Sequence, residues 1–155
     1  MNIDELVASL KDGPGLERAK AAEALGKTKD RRAEKPLIEA LHDRNSAVRN
    51  NAVFALGMIN ASGAISVIKP LLKDPEEWVR KSAAKTLGLL RAHEAVDELI
   101  ASMSDPSYMV RKNVARSLGQ IGGETAEKAL EKAVSDPDRI VAHAAKEALG
   151  KLQNL

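Results

Sequence analysis

The 155-residue chain is 44% hydrophobic, yet it holds only one Phe, one Trp and one Tyr. Ala, Leu, Ile and Val must therefore fill its core, a mixture that favours helix over sheet and, at this apolar fraction, excludes intrinsic disorder. The absence of cysteine excludes a disulfide scaffold, a thiolate nucleophile and a Cys-ligated metal, while 24 basic against 22 acidic residues (net charge +2) argue against a protein devoted to coating nucleic acid.

The N-terminal stretch MNIDELVASLKDG is amphipathic and lacks the apolar core of a signal peptide. No run reaches the ~18 apolar residues of a membrane span, so the expected compartment is the cytoplasm. From here on the chain repeats itself. Leu-Gly recurs with its glycine at Gly26, Gly57, Gly88, Gly119 and Gly150, each 31 residues after the last, so five periods fill the chain as one repeat domain, 1–155. Fourteen residues before each glycine stands an aspartate: Asp12, Asp43, Asp74, Asp105 and Asp136. Eight before it stands Arg18, Arg49, Arg80 or Arg111, with Ala142 in the last frame. Ala33, Ala64, Ala95 and Ala126 form a further column.

Within the second period the apolar spacing Ala33, Leu37, Ile38, Leu41 predicts a helix over 31–42, and a second helix follows over 46–59. Asp-Pro at 74–75, 105–106 and 136–137 stops the first helix of later periods. Asn45, Ser107 and Asp138 stand where the second helix needs an N-cap, and Asn60 and Gly122 where it needs a left-handed stop. The recurring glycine falls in the last turn of the second helix, where a missing side chain admits a neighbouring helix. A two-helix unit this short cannot bury its apolar face alone, whereas stacked units can; the fold expected is an all-α superhelix, an α-solenoid of five two-helix repeats.

The pattern D-x-x-x-x-V-R-x-x-A-x-x-A-L-G, seen at 74–88 as DPEEWVRKSAAKTLG, resembles HEAT repeats of the short, PBS-lyase-like class, as does the stretch Ala33-Glu34-Lys35-Pro36-Leu37-Ile38 with its kinking proline. The resemblance spans essentially the whole chain. It implies that the second helices line a concave, partner-binding surface. It also implies a hydrogen-bonded ladder between repeats, carried here by Asp43/Arg49, Asp74/Arg80 and Asp105/Arg111, with Asp136 lacking an arginine of its own frame. Pro70 sits three positions later than the family proline, so the helix over 62–72 should bend differently.

Catalytic chemistry is sparse. His42, His93 and His143 fall in three different columns and read as surface residues. HEAT-like di-iron hydroxylases imply several His-Glu pairs on second helices; here His93-Glu94 is the only such pair, and only His143 occupies a comparable place, followed by Ala144. Glu76-Glu77 and Asp97-Glu98 diverge by about 100° on a helix and read as solvated faces. Neither a phosphate-binding loop nor a nucleophile elbow occurs, and no cofactor is expected.

The varying columns are more informative. Positions ten, seven and three before each glycine, and one after it, share an arc of about 80° opposite the core stripe. In the middle periods the arc reads Ala47-Asn50-Phe54-Met58, Trp78-Lys81-Lys85-Leu89 and Met109-Lys112-Arg116-Gln120, with Tyr108 at its edge. Phe54 shares its column with Glu23, Lys85, Arg116 and Glu147, and Tyr108 shares its own with Gly15, Ser46, Glu77 and Arg139, so both rings should be exposed. The column of Trp78 is apolar and leaves its burial open. Asn50, Phe54, Met58, Trp78, Lys81, Lys85, Tyr108, Met109, Lys112 and Arg116 are the candidate partner-binding residues, an amphipathic patch of the kind that marks interaction sites.

The function expected is a non-enzymatic scaffold that grips a protein or peptide with acidic and apolar features, as a monomer or weak homo-oligomer. One alternative is nucleic-acid binding, with the same basic cluster on phosphates and a ring stacked on a base, for which HEAT-like DNA glycosylases are the family precedent. Another is a bilin-lyase-like enzyme subunit, which rests on the resemblance alone.

Overall fold

Leu and Ala at three- and four-residue spacing wind each half-period into a helix, and the turn residues between them fold the halves back to back. A computed structural model describes residues 1–154; the final position of the expected 1–155 span lies outside the described residues. The first pair is α1 (Ile3–Asp12) and α2 (Gly15–Thr28). In the second, a 3₁₀ turn at Arg31–Ala33 leads into α3 (Glu34–Ala40), followed by α4 (Ser46–Met58). In the third, α5 (Ile65–Ile68) lies between 3₁₀ turns at Ser62–Ala64 and Lys69–Lys73 and precedes α6 (Glu77–Leu89). In the fourth, α7 (Val96–Ala101) lies between 3₁₀ turns at His93–Ala95 and Ser102–Ser104 and precedes α8 (Tyr108–Ile121). The fifth is α9 (Glu124–Ala133) and α10 (Arg139–Gln153). The described residues contain no strand and no helix long and apolar enough to cross a membrane. The pairs stack in chain order into an α-α superhelix.

The second helices α2, α4, α6, α8 and α10 form one closely spaced layer. A Cβ on Gly26 would lie 2.8 Å from Cα and Cβ of Ala55, and one on Gly119 would lie 2.6 Å from Cβ of Ala148. Gly57 meets Thr86, and Gly88 meets Ser117, in the same way. Each glycine thus faces a small residue two positions before the next glycine, in the column Ala24, Ala55, Thr86, Ser117, Ala148, which is the alanine of the A-L-G end of the repeat motif. Of the five recurring glycines, Gly150 alone has none of the described residues within 4 Å of its would-be Cβ. The first helices stand further apart, with an open cleft between the third and fourth, so the stack curves with the second helices on its inner side.

The aspartate and arginine columns join neighbouring pairs, but the partners differ from the expected ones. Each arginine reaches the carboxylate of the following repeat, not that of its own. Nε of Arg18, Arg49, Arg80 and Arg111 donates to Asp43, Asp74, Asp105 and Asp136 at 2.7, 2.8, 2.8 and 2.9 Å, with Nη2 on the second oxygen of each carboxylate. For Arg49, Arg80 and Arg111 the aspartate of the arginine's own frame contributes its main-chain carbonyl, as in Arg49 Nη1 to Asp43 O at 2.9 Å and Arg80 Nη1 to Asp74 O at 3.0 Å, whereas Arg18 Nη1 donates to the Gly13 carbonyl at 2.9 Å. Asp136 is therefore paired after all, and the series ends where Ala142 replaces the arginine. Each carboxylate also accepts the amide two residues on, which shapes the interhelical turn. The Arg18 guanidinium holds the Asp43 carboxyl below the usual carboxylate range. Burial pushes Asp74 and Asp136 up, but hydrogen bonds from Arg49 and Arg111 and from the turn amides outweigh it, and both lie below their ordinary value.

Local stops differ in detail from the sequence expectation. Asn45 and Asp138 cap their helices through the side chain, whereas Ser107 holds the N-cap position without a side-chain bond. Asn60 is left-handed (φ 54°), and so are Lys29 and Arg91 in the same column. Gly122 is not: with φ 74° and ψ −169° it takes an extended mirror-image conformation open to glycine, which redirects the chain into Gly123 and α9. Pro70, which lacks an amide hydrogen, confines α5 to four residues and leaves the rest of that helix as a 3₁₀ turn.

Candidate functional site

The inner layer turns the arc of variable columns toward solvent. Phe54 is 37% exposed, Trp78 55% and Tyr108 41%, so all three rings of the chain face water, Trp78 most of all. Asn50, Met58, Lys81, Met109 and Lys112 are half-buried beside them, and Lys85 and Arg116 are exposed.

The helices bring these side chains together across repeats. Lys85 on α6 places its Nζ 5.3 Å from the centre of the Phe54 ring on α4, and Lys81 places its own 4.7 Å from the Trp78 ring one turn back. Each is a cation–π contact that holds a lysine flat over an exposed ring. Ser82 donates to Asn50 Oδ1 at 2.7 Å, locking the polar base of the same wall. Among the described residues, none of Lys81, Lys85, Lys112 and Arg116 meets a carboxylate within salt-bridge distance, whereas in the first period Lys27 pairs with Glu23. The centre of the wall is thus apolar and cationic.

Two concavities were not legible in the sequence. One, of about 760 Å³, separates the first helices of the third and fourth periods; Lys69 bridges it to Glu98 at 2.7 Å and holds the Glu98 carboxyl below its usual range. The other, of about 690 Å³, opens on the inner wall between α8 and α10. Among the described residues no three of His, Cys, Asp and Glu stand close enough to share a metal ion, and His42, His93 and His143 are each exposed at separate places.

This geometry is that of a repeat protein with a structured inner wall, and comparison places the class. The chain matches the family of HEAT repeats over residues 3–84 and 65–150, and it belongs to that family. No curated protein sequence matches it. Among solved structures it is similar to a chain of the complex of CpcE and CpcF of phycocyanin lyase from Nostoc sp. PCC7120, with 26% identity and a TM-score of 0.89. That alignment covers 100% of this chain but 66% of the other, so this chain spans just under two thirds of its neighbour's length. It is also similar in fold to a computationally designed armadillo repeat protein for modular peptide recognition (TM-score 0.71, 23% identity, 96% of this chain and 81% of that one). A designed armadillo protein in complex with the peptide (KR)4 matches equally well, with a TM-score of 0.71, 22% identity, and coverage of 97% of this chain and 81% of that one. The bilin-lyase-like HEAT resemblance and the α-solenoid architecture read from the sequence both stand.

Proposed function

We propose that the protein is a non-enzymatic binding module whose inner wall grips an acidic, partly apolar protein segment. The observation that carries this reading is the unpaired cationic and aromatic centre of the wall, Lys81 on Trp78 and Lys85 on Phe54. Exposed rings supply apolar area to bury, and the lysines and Arg116 supply charge that speeds encounter with carboxylates. The CpcE–CpcF neighbour is one partner of a protein complex and the armadillo neighbours recognise peptides, which supports a protein partner here as well. Where the designed armadillo protein takes a basic peptide, the cationic wall of this chain calls for the opposite sign.

The test is selection of a displayed random peptide library on the immobilised protein. Enriched sequences should combine Asp or Glu with a large apolar residue, and Phe54→Ala/Tyr108→Ala should weaken the best binder by about thirtyfold or more with helicity unchanged. Undiminished binding by that double variant removes the wall from the function. Tighter binding of a single-stranded oligonucleotide, falling steeply with salt, replaces a protein partner with a nucleic acid.

A further inference from the structure

The seat over each recurring glycine explains the smaller concavity. At Gly26 the space beyond Ala55 is filled by Met58, whose Sδ lies 3.2 Å from the would-be Cβ. At Gly57 Leu89 occupies the equivalent place, at 3.7 Å, and at Gly88 Gln120 does so. All three fillers sit one residue after the next period's glycine. At Gly119 the corresponding residue is Lys151, which is exposed; the nearest atoms to Gly119 all belong to Ala148, out to 3.8 Å. The fourth seat thus has a charged, solvent-facing lysine in the place held by Met58, Leu89 or Gln120 elsewhere, and the pocket of about 690 Å³ lies there, lined by Lys151 among others. Its floor is apolar, formed by Gly119, Ala148 and Leu152, and Leu152 also packs 3.4 Å from the would-be Cβ of Gly122. Its rim carries Arg91, Arg116 and Lys151 against the single carboxylate of Glu147, which already faces His143 at 3.5 Å. Arg91 is held in place by Nη1 on the Gln120 carbonyl at 3.0 Å, with the rest of its guanidinium left for other partners.

We infer that this seat is the anchor pocket of the binding wall: it takes an aliphatic side chain of the size of Leu or Met from a partner segment, with Asp or Glu beside that side chain pairing to Arg91, Arg116 and Lys151. The occupant is defined by Met58 and Leu89 over two of the other three seats, with Gln120 over the third, and by the excess of cations around this one. The inference rests on the peptide-binding reading and adds the position and the class of the anchoring residue. Burying a leucine side chain in place of an alanine in a partly open seat corresponds to about a tenfold gain in affinity.

The probe is the blocked tripeptide N-acetyl-Glu-Leu-Glu-amide, titrated into the isotope-labelled full chain and followed through its backbone amide resonances. Expected are saturable shifts at Gly119, Gly122, Gly123 and Leu152, weakened about tenfold when the probe leucine is alanine. Lys151→Leu, which places over Gly119 the residue found over Gly57, should abolish them, and Arg116→Glu should weaken them. Circular dichroism confirms folding of each variant. Absence of shifts at these amides overturns the inference, as does equal binding of the alanine probe or indifference to Lys151→Leu. Shifts confined to the surroundings of Phe54, Trp78 and Tyr108 overturn the pocket but leave the wider binding reading standing.

Discussion

At the scale of single residues, the same glycine has opposite consequences along the chain. Gly119 and Gly26 sit where a Cβ would press into Ala148 or Ala55, so Gly119→Ala or Gly26→Ala should destabilise by about 1–3 kcal/mol through overpacking. Gly150 occupies the same column in α10 with open space around it, and Gly150→Ala should instead stabilise by about 0.5–1 kcal/mol through helix propensity. Urea denaturation of the three variants tests the difference in sign. A second residue-scale prediction concerns Arg80, whose loss strands the buried Asp105 with only the Ser107 amide. Arg80→Ala should cost about 2–4 kcal/mol, since breaking one half of a shielded pair leaves a charge uncompensated. In sequence the partner of this arginine was ambiguous: Asp74 lies six residues before it and Asp105 twenty-five after, and column spacing cannot choose between them. Three dimensions decide it, because the curved stack places the carboxylate of the next turn against the planar guanidinium and leaves its own frame only a carbonyl.

At the scale of elements, the two layers differ in regularity. The second helices run thirteen to fifteen residues, whereas α5 has four and α7 six, each between 3₁₀ turns. Period-3.6 patterning made both layers readable as helices, but it does not reveal where an i→i+4 bond gives way to i→i+3. Pro70 is one cause; the fourth period shows the same ending at Ser102–Ser104 without a proline, where Asp105-Pro106 follows at once. Short helices with weaker bonds open more readily. Amides of 65–73 should therefore exchange with solvent at least about tenfold faster than the buried centre of α6, as hydrogen exchange would show. The inner-wall residues were legible for a related reason: in a repeat, any side chain that departs from its column is released from packing duty, and Phe54 and Tyr108 announce themselves by sharing columns with charged residues. The pocket was not legible, because it lies where Lys151 stands over a glycine one period earlier, a relation between Lys151 and Gly119 that only the packed helices expose.

At the scale of the whole molecule, the Arg–Asp bridges are distributed one to each junction, so they bind the stack as a series. The carboxyls of Asp43, Asp74 and Asp136 are held below their ordinary value in the folded chain. A group of that kind contributes stability that is fully present above its unfolded pKa, about 3.9, and is lost as pH falls through its lower folded value. Between neutrality and about pH 5 these groups should leave the urea midpoint unchanged; below about pH 4 the midpoint should drop steeply as successive junctions lose their bridges. Asp74→Asn separates charge from shape: asparagine can still accept the Glu76 amide but cannot pair with Arg49 as an anion. That variant should be less stable at pH 7 and show a shallower acid loss than the parent, because one junction no longer titrates. A parental slope retained in the variant would shift the origin of the acid sensitivity away from these bridges. Since stability in a stacked repeat is the sum of its units and their nearest-neighbour junctions, weakening the interior Arg49–Asp74 junction should also broaden the unfolding transition, whereas the same loss at the Arg18–Asp43 junction should mainly fray the first pair.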